Sequence, residues 1–229
     1  MNYEEKPVMI VNFKTYSEAT GQNALDLSRD LGDVQKKTGI RVIVAPQTTD
    51  IQSISLHVEI PVFAQHLDPQ PQGAHTGYVT AEAVKEAGGR GTLLNHSERQ
   101  LGLRVVEETI QRAKTAGLIS VVCANNAKVA GACAALGPDM VAVEPPELIG
   151  TGVAVSKAKP EVVTAAVAMI RRVNPNVVIL CGAGITDRRD ASSALDLGTQ
   201  GILISSGVVK AKDPKHAALD LACAMANCI

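Results

Sequence analysis

The chain has 229 residues, of which 46% are hydrophobic and 20% charged, a balance that excludes a disordered protein and can supply a sizeable core. Lysine and arginine number 22 against 23 acidic residues, so no excess positive charge is available for binding nucleic acid. Aromatic residues make up only 2% of the chain, which also argues against a surface that stacks on bases.

Short apolar runs rich in β-branched residues recur along the whole chain. Five of them follow a glycine that suits the left-handed position just past a helix, namely Gly39, Gly88, Gly117, Gly137 and Gly198. Together with three further runs they predict strands at 8–13, 40–45, 60–65, 89–94, 118–123, 138–143, 177–181 and 199–204. The runs are nearly continuous instead of alternating, which is typical of parallel strands covered on both faces.

Eight strand–helix units are compatible with two folds, a closed (β/α)8 barrel or an open doubly wound sheet. The units are regular, and no linker or change of composition divides the chain. These features favour α/β architecture in the form of a single (β/α)8 barrel, a TIM barrel with short helices, spanning residues 1–229 as one domain. In such a barrel the active site lies at the carboxyl ends of the strands.

The last two predicted strands end in small residues, with the sequence CGAG at 181–184 and SSG at 205–207. Small residues expose backbone N–H groups that can bind a phosphate, and barrels often bind phosphate after strands seven and eight. Either segment alone could be an ordinary tight turn. Their occurrence on two neighbouring strands favours a phosphate ester as the ligand.

Polar residues follow three other strands. Glu144 precedes two prolines, and Gly150 and Gly152 come shortly after, a composition typical of a hinged lid that could close over a general base. His96 precedes Ser-Glu-Arg, which resembles the first turn of a helix, whose field would favour a neutral imidazole. Lys14 would attract an anionic substrate. The alternative interpretations are a solvated glutamate, a locally bonded histidine and a surface lysine.

The histidines and cysteines form none of the spacings typical of a metal site, and no glycine-rich nucleotide motif follows a strand. We therefore expect neither a metal nor an organic cofactor. The five cysteines are odd in number and lack C-x-x-C spacing, which predicts free, buried thiols in a reducing compartment. The N-terminal sequence MNYEEKP lacks the features of a signal peptide, so we expect a soluble cytoplasmic protein with no membrane partner.

Four motifs resemble the triosephosphate isomerase family, and specifically its compact archaeal-type branch. In chain order they are VNFKTY at 11–16, HTGYV at 75–79, LLNHSE at 93–98 and AVEPPELIGTG at 142–152. The resemblance covers essentially the whole chain. It implies a cofactor-free isomerase of glycolysis and gluconeogenesis that interconverts D-glyceraldehyde 3-phosphate and dihydroxyacetone phosphate through an enediolate.

The resemblance also implies roles for individual residues. Glu144 would be the base that takes a proton from the carbon next to the carbonyl, and His96 the neutral electrophile that polarises the carbonyl oxygen. Asn12 and Lys14 would hold the substrate and stabilise the enediolate. Ile149 would close over the base. The full set of implied substrate- and phosphate-binding residues is Asn12, Phe13, Lys14, Ile149, Gly150, Gly184, Ser205 and Ser206.

The chain departs from the more familiar family pattern at three places. The lid carries Pro-Glu-Leu where most bacterial and eukaryotic members have an aromatic residue, and Gly184 replaces a serine whose hydroxyl usually helps to hold the phosphate. The eighth strand ends in Ser-Ser-Gly where Gly-Gly is common. The resemblance further implies a homo-oligomer in which Thr76 and Gly77 reach into a neighbour's site, with a tetramer favoured over a dimer.

Two other functions are compatible with parts of this pattern. A phosphate-binding barrel of amino-acid or thiamine biosynthesis would share the small residues after strands seven and eight, but not the combination of Asn12, Lys14, His96 and Glu144 with the lid. A catalytically silent barrel that senses a sugar phosphate would not need all of these groups. The complete set therefore favours the isomerase.

Overall fold

The computed structural model describes residues 6–145, 154, 159–182 and 184–226. These residues contain a sheet of eight parallel strands, each of which overlaps its predicted run. The strands are β1 (Val8–Asn12), β2 (Arg41–Ala45), β3 (Phe63–Ala64), β4 (Gly91–Leu94), β5 (Ile119–Ala124), β6 (Met140–Val143), β7 (Val178–Gly182) and β8 (Gly201–Ile204).

The strand order closes the sheet into a barrel. The order is β2-β1-β8-β7-β6-β5-β4-β3, so β2 and β3 lie at its two ends. A parallel bridge between Val44 and Val62, just before β3, joins those ends. An open doubly wound sheet would leave them apart, and the predicted α/β barrel is therefore confirmed.

Helices follow the strands and cover the outside of the barrel. They are α1 (Gln22–Thr38), α2 (Ile51–Ser55), α3 (Ala81–Glu86), α4 (Leu103–Thr115), α5 (Ala127–Ala135), α6 (Pro160–Val173), α7 (Arg188–Asp196), α8 (Ser206–Val209) and α9 (Pro214–Ala226). The five glycines predicted at helix ends have φ angles between 67° and 93°, as left-handed residues at these positions require.

Strand residues alternate between two apolar clusters. In β1, Val8 and Ile10 belong to the smaller cluster inside the barrel, whereas Met9 and Val11 belong to the larger cluster between the strands and the helices. Because both faces of each strand are covered, nearly every strand position is apolar. This arrangement explains why the strand sequences are continuous apolar runs.

The prediction of free, buried thiols is confirmed at three cysteines, and at Cys223 only the free thiol is confirmed. Cys123, Cys133 and Cys181 are buried free thiols, and Cys223 is free and partly exposed, whereas Cys228 lies outside the described residues. Burial raises the pKa of Cys181 to about 12 and that of Cys133 to about 11. Among the helices in the described ranges, none has the length and apolarity that a membrane span requires.

Candidate active site

Most of the predicted site residues meet in one cleft at the carboxyl ends of the strands. The cleft is lined by Asn12, Lys14, Tyr16, His96, Glu144, Gly184, Ile185, Thr186, Leu203, Ile204, Ser205, Ser206 and Gly207. Phe13 does not line it, because its side chain is fully buried in the cluster between the strands and the helices. Ile149 and Gly150 lie outside the described residues.

Lys14 is held at the mouth of the barrel in an unusual backbone conformation. Its φ angle is 48°, a left-handed value that is rare for a residue with a side chain. The backbone N–H of Lys14 donates to Asn12 Oδ1 at 3.0 Å, and its carbonyl accepts from Gln65 Nε2 at 2.8 Å. The ammonium group donates to Glu98 Oε1 at 2.8 Å. These contacts fix a positive charge at the edge of the cleft.

His96 is buried and its ring is oriented by the backbone. The N–H of Glu98 donates to His96 Nδ1 at 3.2 Å, which places the ring proton of the neutral imidazole on Nε2. The expected helix after His96 is wrong. Residues 97–99 form a turn closed by the Arg99 N–H on the His96 carbonyl at 2.7 Å, and α4 begins only at Leu103. One local hydrogen bond, and not a helix end, therefore selects the Nε2–H form of the ring.

Asn95 anchors the loop that carries His96. Its φ angle is 57°, a left-handed value that asparagine tolerates better than most residues. Its side chain donates to the carbonyl of Cys123 at 3.0 Å and accepts from the N–H of Leu101 at 2.8 Å. The loop after β4 is thereby tied to the end of β5, which keeps the imidazole in place. The sequence analysis assigned no specific role to Asn95.

Glu144 directly follows β6 and is buried beside the imidazole. The distance between Glu144 Oε2 and His96 Nε2 is 3.8 Å. Burial raises the pKa of Glu144, while the electrostatic influence of the neighbouring His96, a hydrogen-bonding interaction with the Cys123 thiol and the charge of Lys14 oppose that rise. Oε2 is buried and has no hydrogen-bond partner among the described residues. A buried carboxylate with a free oxygen and a raised pKa is suited to accept a proton.

Gly182 makes room for Glu144, a role that the sequence analysis missed. A Cβ atom at Gly182 would lie 2.6 Å from Glu144 Cγ and 2.8 Å from Glu144 Oε1, closer than any real contact. The sequence analysis had assigned this glycine to a phosphate turn. β6 and β7 are adjacent, and Val143 pairs with Cys181, so the next step along both strands places Gly182 beside Glu144. The sequence alone could have indicated this contact only if the pairing of these two strands had been known.

The Cys123 thiol is the second neighbour of Glu144 that sequence reasoning missed. The burial of Cys123 was expected, but its interaction with the carboxylate was not. Burial and the nearby charge of Glu144 raise the pKa of the thiol well above its ordinary value. Cys123 therefore remains protonated and can serve Glu144 as a hydrogen-bond donor.

The ends of β7 and β8 form the other side of the cleft. Gly184 has a φ angle of 73° and brings no side chain to the lining. At Gly207 a Cβ atom would lie 2.6 Å from the Ile185 carbonyl, so these two loops pack closely. Small residues of this kind leave backbone N–H groups accessible to an anion, and Lys14 lies in the same cleft.

The described residues contain no group of three or more histidine, cysteine, aspartate or glutamate side chains that could hold a metal ion. The reactive groups of the cleft are instead a carboxylate, an imidazole and an ammonium. Together they can take a proton from carbon, donate a hydrogen bond to oxygen and offset negative charge.

Comparison with known proteins identifies the family. The family model described as triosephosphate isomerase matches residues 7–222. The chain is 50% identical to the triosephosphate isomerase of Methanothermobacter thermautotrophicus over 221 residues, covering 96% of each chain. It is 49% identical to that of Methanothermus fervidus (95% of this chain, 98% of the relative) and 47% identical to that of Methanocaldococcus jannaschii (93% and 98%). The archaeal-type resemblance is thus confirmed, and the chain belongs to the triosephosphate isomerase family.

Proposed function

We propose that the protein interconverts D-glyceraldehyde 3-phosphate and dihydroxyacetone phosphate, without a metal or organic cofactor, as a step of glycolysis and gluconeogenesis. The observation that supports this most directly is the pairing of Glu144 with His96. The buried carboxylate has an oxygen that lacks a hydrogen-bond partner among the described residues and lies 3.8 Å from the imidazole nitrogen that carries the proton. A carboxylate base beside a neutral hydrogen-bond donor in one small cleft is what an aldose–ketose isomerisation needs, and triosephosphate isomerase is itself the usual illustration of this pairing.

The proton transfers follow from the positions of these two groups. Glu144 takes a proton from the carbon next to the carbonyl, and the electron pair of that C–H bond forms the enediolate. His96 donates a hydrogen bond from Nε2 to the oxygen on which negative charge develops. Glu144 then returns the proton to the neighbouring carbon, while the hydroxyl proton moves between the two oxygens. The base and the imidazole both end in their initial states.

Asn12 and Lys14 assist from the end of β1. The ammonium of Lys14 is fixed by Glu98 and offsets the charge of the enediolate. Asn12 is buried and uses its carbonyl oxygen to hold the Lys14 backbone, which leaves its amide group for the substrate.

The phosphate group lies at the ends of β7 and β8, against backbone N–H groups of Gly184, Ser205 and Ser206. Support comes from the small residues there and from their place in the same cleft as Lys14. By family resemblance, Gly150 adds a further N–H and Ile149 covers the base. Closure of such a lid would exclude water and restrain loss of phosphate from the enediolate.

We further infer that the whole chain acts as one catalytic domain in the cytoplasm and that it assembles as a homo-oligomer, with a tetramer favoured over a dimer. Residues 71–78 are all exposed, and they include Thr76, Gly77 and a half-exposed Tyr78. A projecting segment of this kind is suited to enter a neighbouring subunit, as the family resemblance implies. Light scattering of the purified protein would measure the number of subunits.

The deciding experiment is turnover of D-glyceraldehyde 3-phosphate to dihydroxyacetone phosphate by purified protein in the presence of a chelator, beside the Glu144→Gln variant. The wild type is expected to convert the substrate. The Glu144→Gln substitution is expected to lower kcat by about 10²–10⁴-fold, because the amide cannot accept the proton. Wild-type turnover by the variant would exclude Glu144 as the base. No turnover by a folded wild-type protein would contradict the proposed function.

A further inference from the structure

The side chain of Ser205 occupies an interior position at the top of the barrel. Leu203 belongs to the cluster inside the barrel and Ile204 to the cluster outside it, so the alternation of β8 brings Ser205 back to the interior. The register pairs Val11 with Ile204, and the next step along both strands places Ser205 beside Asn12. Ser205 accordingly lines the same cleft as the proposed catalytic groups.

The hydroxyl of Ser205 has no partner within the part of the chain that the structure describes. Its Oγ is buried from solvent and makes no hydrogen bond there. Buried hydroxyls are nearly always hydrogen-bonded in folded proteins, so an unsatisfied one that lines a cleft is a candidate ligand-binding group. Rotation about the Cα–Cβ bond gives the hydroxyl a choice of staggered positions from which to reach a ligand.

One neighbouring hydroxyl on this side of the cleft is already engaged. Thr186 donates its side-chain hydroxyl to Asp190 Oδ2 at 3.0 Å, and its backbone N–H binds the same oxygen at 2.9 Å. Gly184 has no side chain to contribute. The hydroxyls of Ser205 and Ser206 remain on this side of the cleft, and among the described residues Ser205 Oγ is the one of the two that is buried without a hydrogen-bond partner.

We propose that Ser205 Oγ–H donates directly to a phosphate oxygen of the substrate and so strengthens the preference for phosphorylated over unphosphorylated trioses. This inference rests on the proposed function, and it adds a side-chain donor to the backbone N–H groups already assigned there. A hydroxyl bound to a charged acceptor is among the stronger hydrogen bonds in proteins. The single donor would also compensate for the absence of a hydroxyl at Gly184.

The test compares Ser205→Ala with wild type, using inorganic phosphate as the probe in calorimetric titrations. We expect the dissociation constant of phosphate to rise about tenfold, the usual effect of losing one hydrogen bond to a charged group. The ratio of kcat/KM for D-glyceraldehyde 3-phosphate to kcat/KM for D-glyceraldehyde should fall by a similar factor. Ser205→Gly, which also lacks the hydroxyl, should show the same losses.

The matched control is Ser28→Ala, which deletes a buried hydroxyl of α1 that donates to the Ala24 carbonyl at 2.7 Å, away from the cleft. It should bind phosphate like the wild type. Wild-type phosphate affinity in Ser205→Ala, an unchanged substrate ratio, or a loss confined to only one of the two Ser205 variants would overturn the proposal. The phosphate titration needs no turnover, so it decides the role of Ser205 even if the wild type proves inactive.

Discussion

An acidic residue stands at each end of β6, and the two carboxylates differ in their hydrogen bonding. Asp139 precedes the strand, and its Oδ2 accepts hydrogen bonds from the backbone N–H and the hydroxyl of Ser120, at 2.8 and 3.0 Å. Glu144 follows the strand and is buried, with Oε2 lacking a partner among the described residues. The first carboxylate fastens β5 to β6, whereas the second remains available for chemistry.

The polar residues before and after β8 differ in hydrogen bonding in the same way. Before the strand, Gln200 Oε1 accepts from the backbone N–H of Ile179 at 2.9 Å and from Arg171. After the strand, the Ser205 hydroxyl is buried without a partner in the described ranges. An unsatisfied buried polar group destabilises a fold by about 1–3 kcal/mol, so such groups persist mainly where binding or catalysis uses them. In these two strands the polar groups at the amino-terminal end hold the fold together, whereas those at the carboxyl-terminal end are the ones that the proposed function uses.

Of the substitutions that probe this contrast, replacing His96 by glutamine should have the largest effect, a loss of turnover. We expect kcat to fall by about 10²–10³-fold, because a displaced amide stabilises the developing oxyanion less well than the oriented Nε2–H group. The dissociation constant of inorganic phosphate should stay near the wild-type value, since the imidazole is not assigned to the phosphate. Steady-state kinetics and phosphate titration would check both expectations. A variant with unchanged kcat and weaker phosphate binding would show that His96 is a binding group.

Gly182→Ala perturbs the same end of the barrel without replacing a reactive residue. The new methyl would lie 2.6 Å from Glu144 Cγ, so the carboxylate must move. A displacement of about 1 Å lowers kcat by up to about 10²-fold, and we expect a loss of about 10–10²-fold with little change in KM. Gly102→Ala is the matched control, because Gly102 has a φ angle of −66° and a Cβ there meets nothing within 4 Å. Equal kcat in the two variants would argue against a positioning role for Gly182.

Asp139→Ala removes the carboxylate that joins β5 to the beginning of β6. It leaves the N–H of the buried Ser120 without its side-chain acceptor, which should lower the free energy of unfolding by about 1–3 kcal/mol. The effect is measured by urea denaturation at neutral pH. Asp196→Ala, at an exposed position of α7, should change stability by less than about 0.5 kcal/mol. A large loss of kcat in folded Asp139→Ala would contradict the separation of the two ends.

The smallest expected effect is a pH dependence of stability that comes from Glu144. Burial raises its pKa in the folded protein above the ordinary value of 4.5, so the unfolded chain releases this proton at lower pH. Relative to Glu144→Gln, the wild type should lose stability as pH rises from 4.5 through the raised pKa. Urea denaturation of both proteins between pH 4.5 and 8 would measure this difference. A difference that stays constant with pH would contradict the raised pKa.

Much of the fold could be predicted because the strand signal is local. Continuous apolar runs between turn glycines located the eight strands to within a few residues, and the regular succession of eight strand–helix units favoured the barrel. The weakest element is β3, where a run of six residues became a strand of only Phe63–Ala64. On the side of β2, the pairing is one bridge between Val44 and Val62, just before β3, so few ladder hydrogen bonds are present to extend this strand.

The turn after His96 shows where local reasoning failed. Ser-Glu-Arg is a good start for a helix, yet Asn95 binds both Cys123 and Leu101 and holds residues 97–99 in a turn. Those partners lie on another strand and at the far end of the loop. No propensity of the turn residues could indicate them, because the bonds form only once β4 and β5 are side by side.

By itself, the sequence determined the order of the elements, the ends of the helices and the residue types that reach the carboxyl ends of the strands. Each of these depends on neighbours within a few positions of the chain. The tertiary structure decided how those residues interact: the ring proton of His96, the burial of Glu144 against Gly182 and Cys123, and the Ser205 hydroxyl that is left without a partner among the described residues. Such contacts join residues from different strands, and only closure of the barrel brings those strands together.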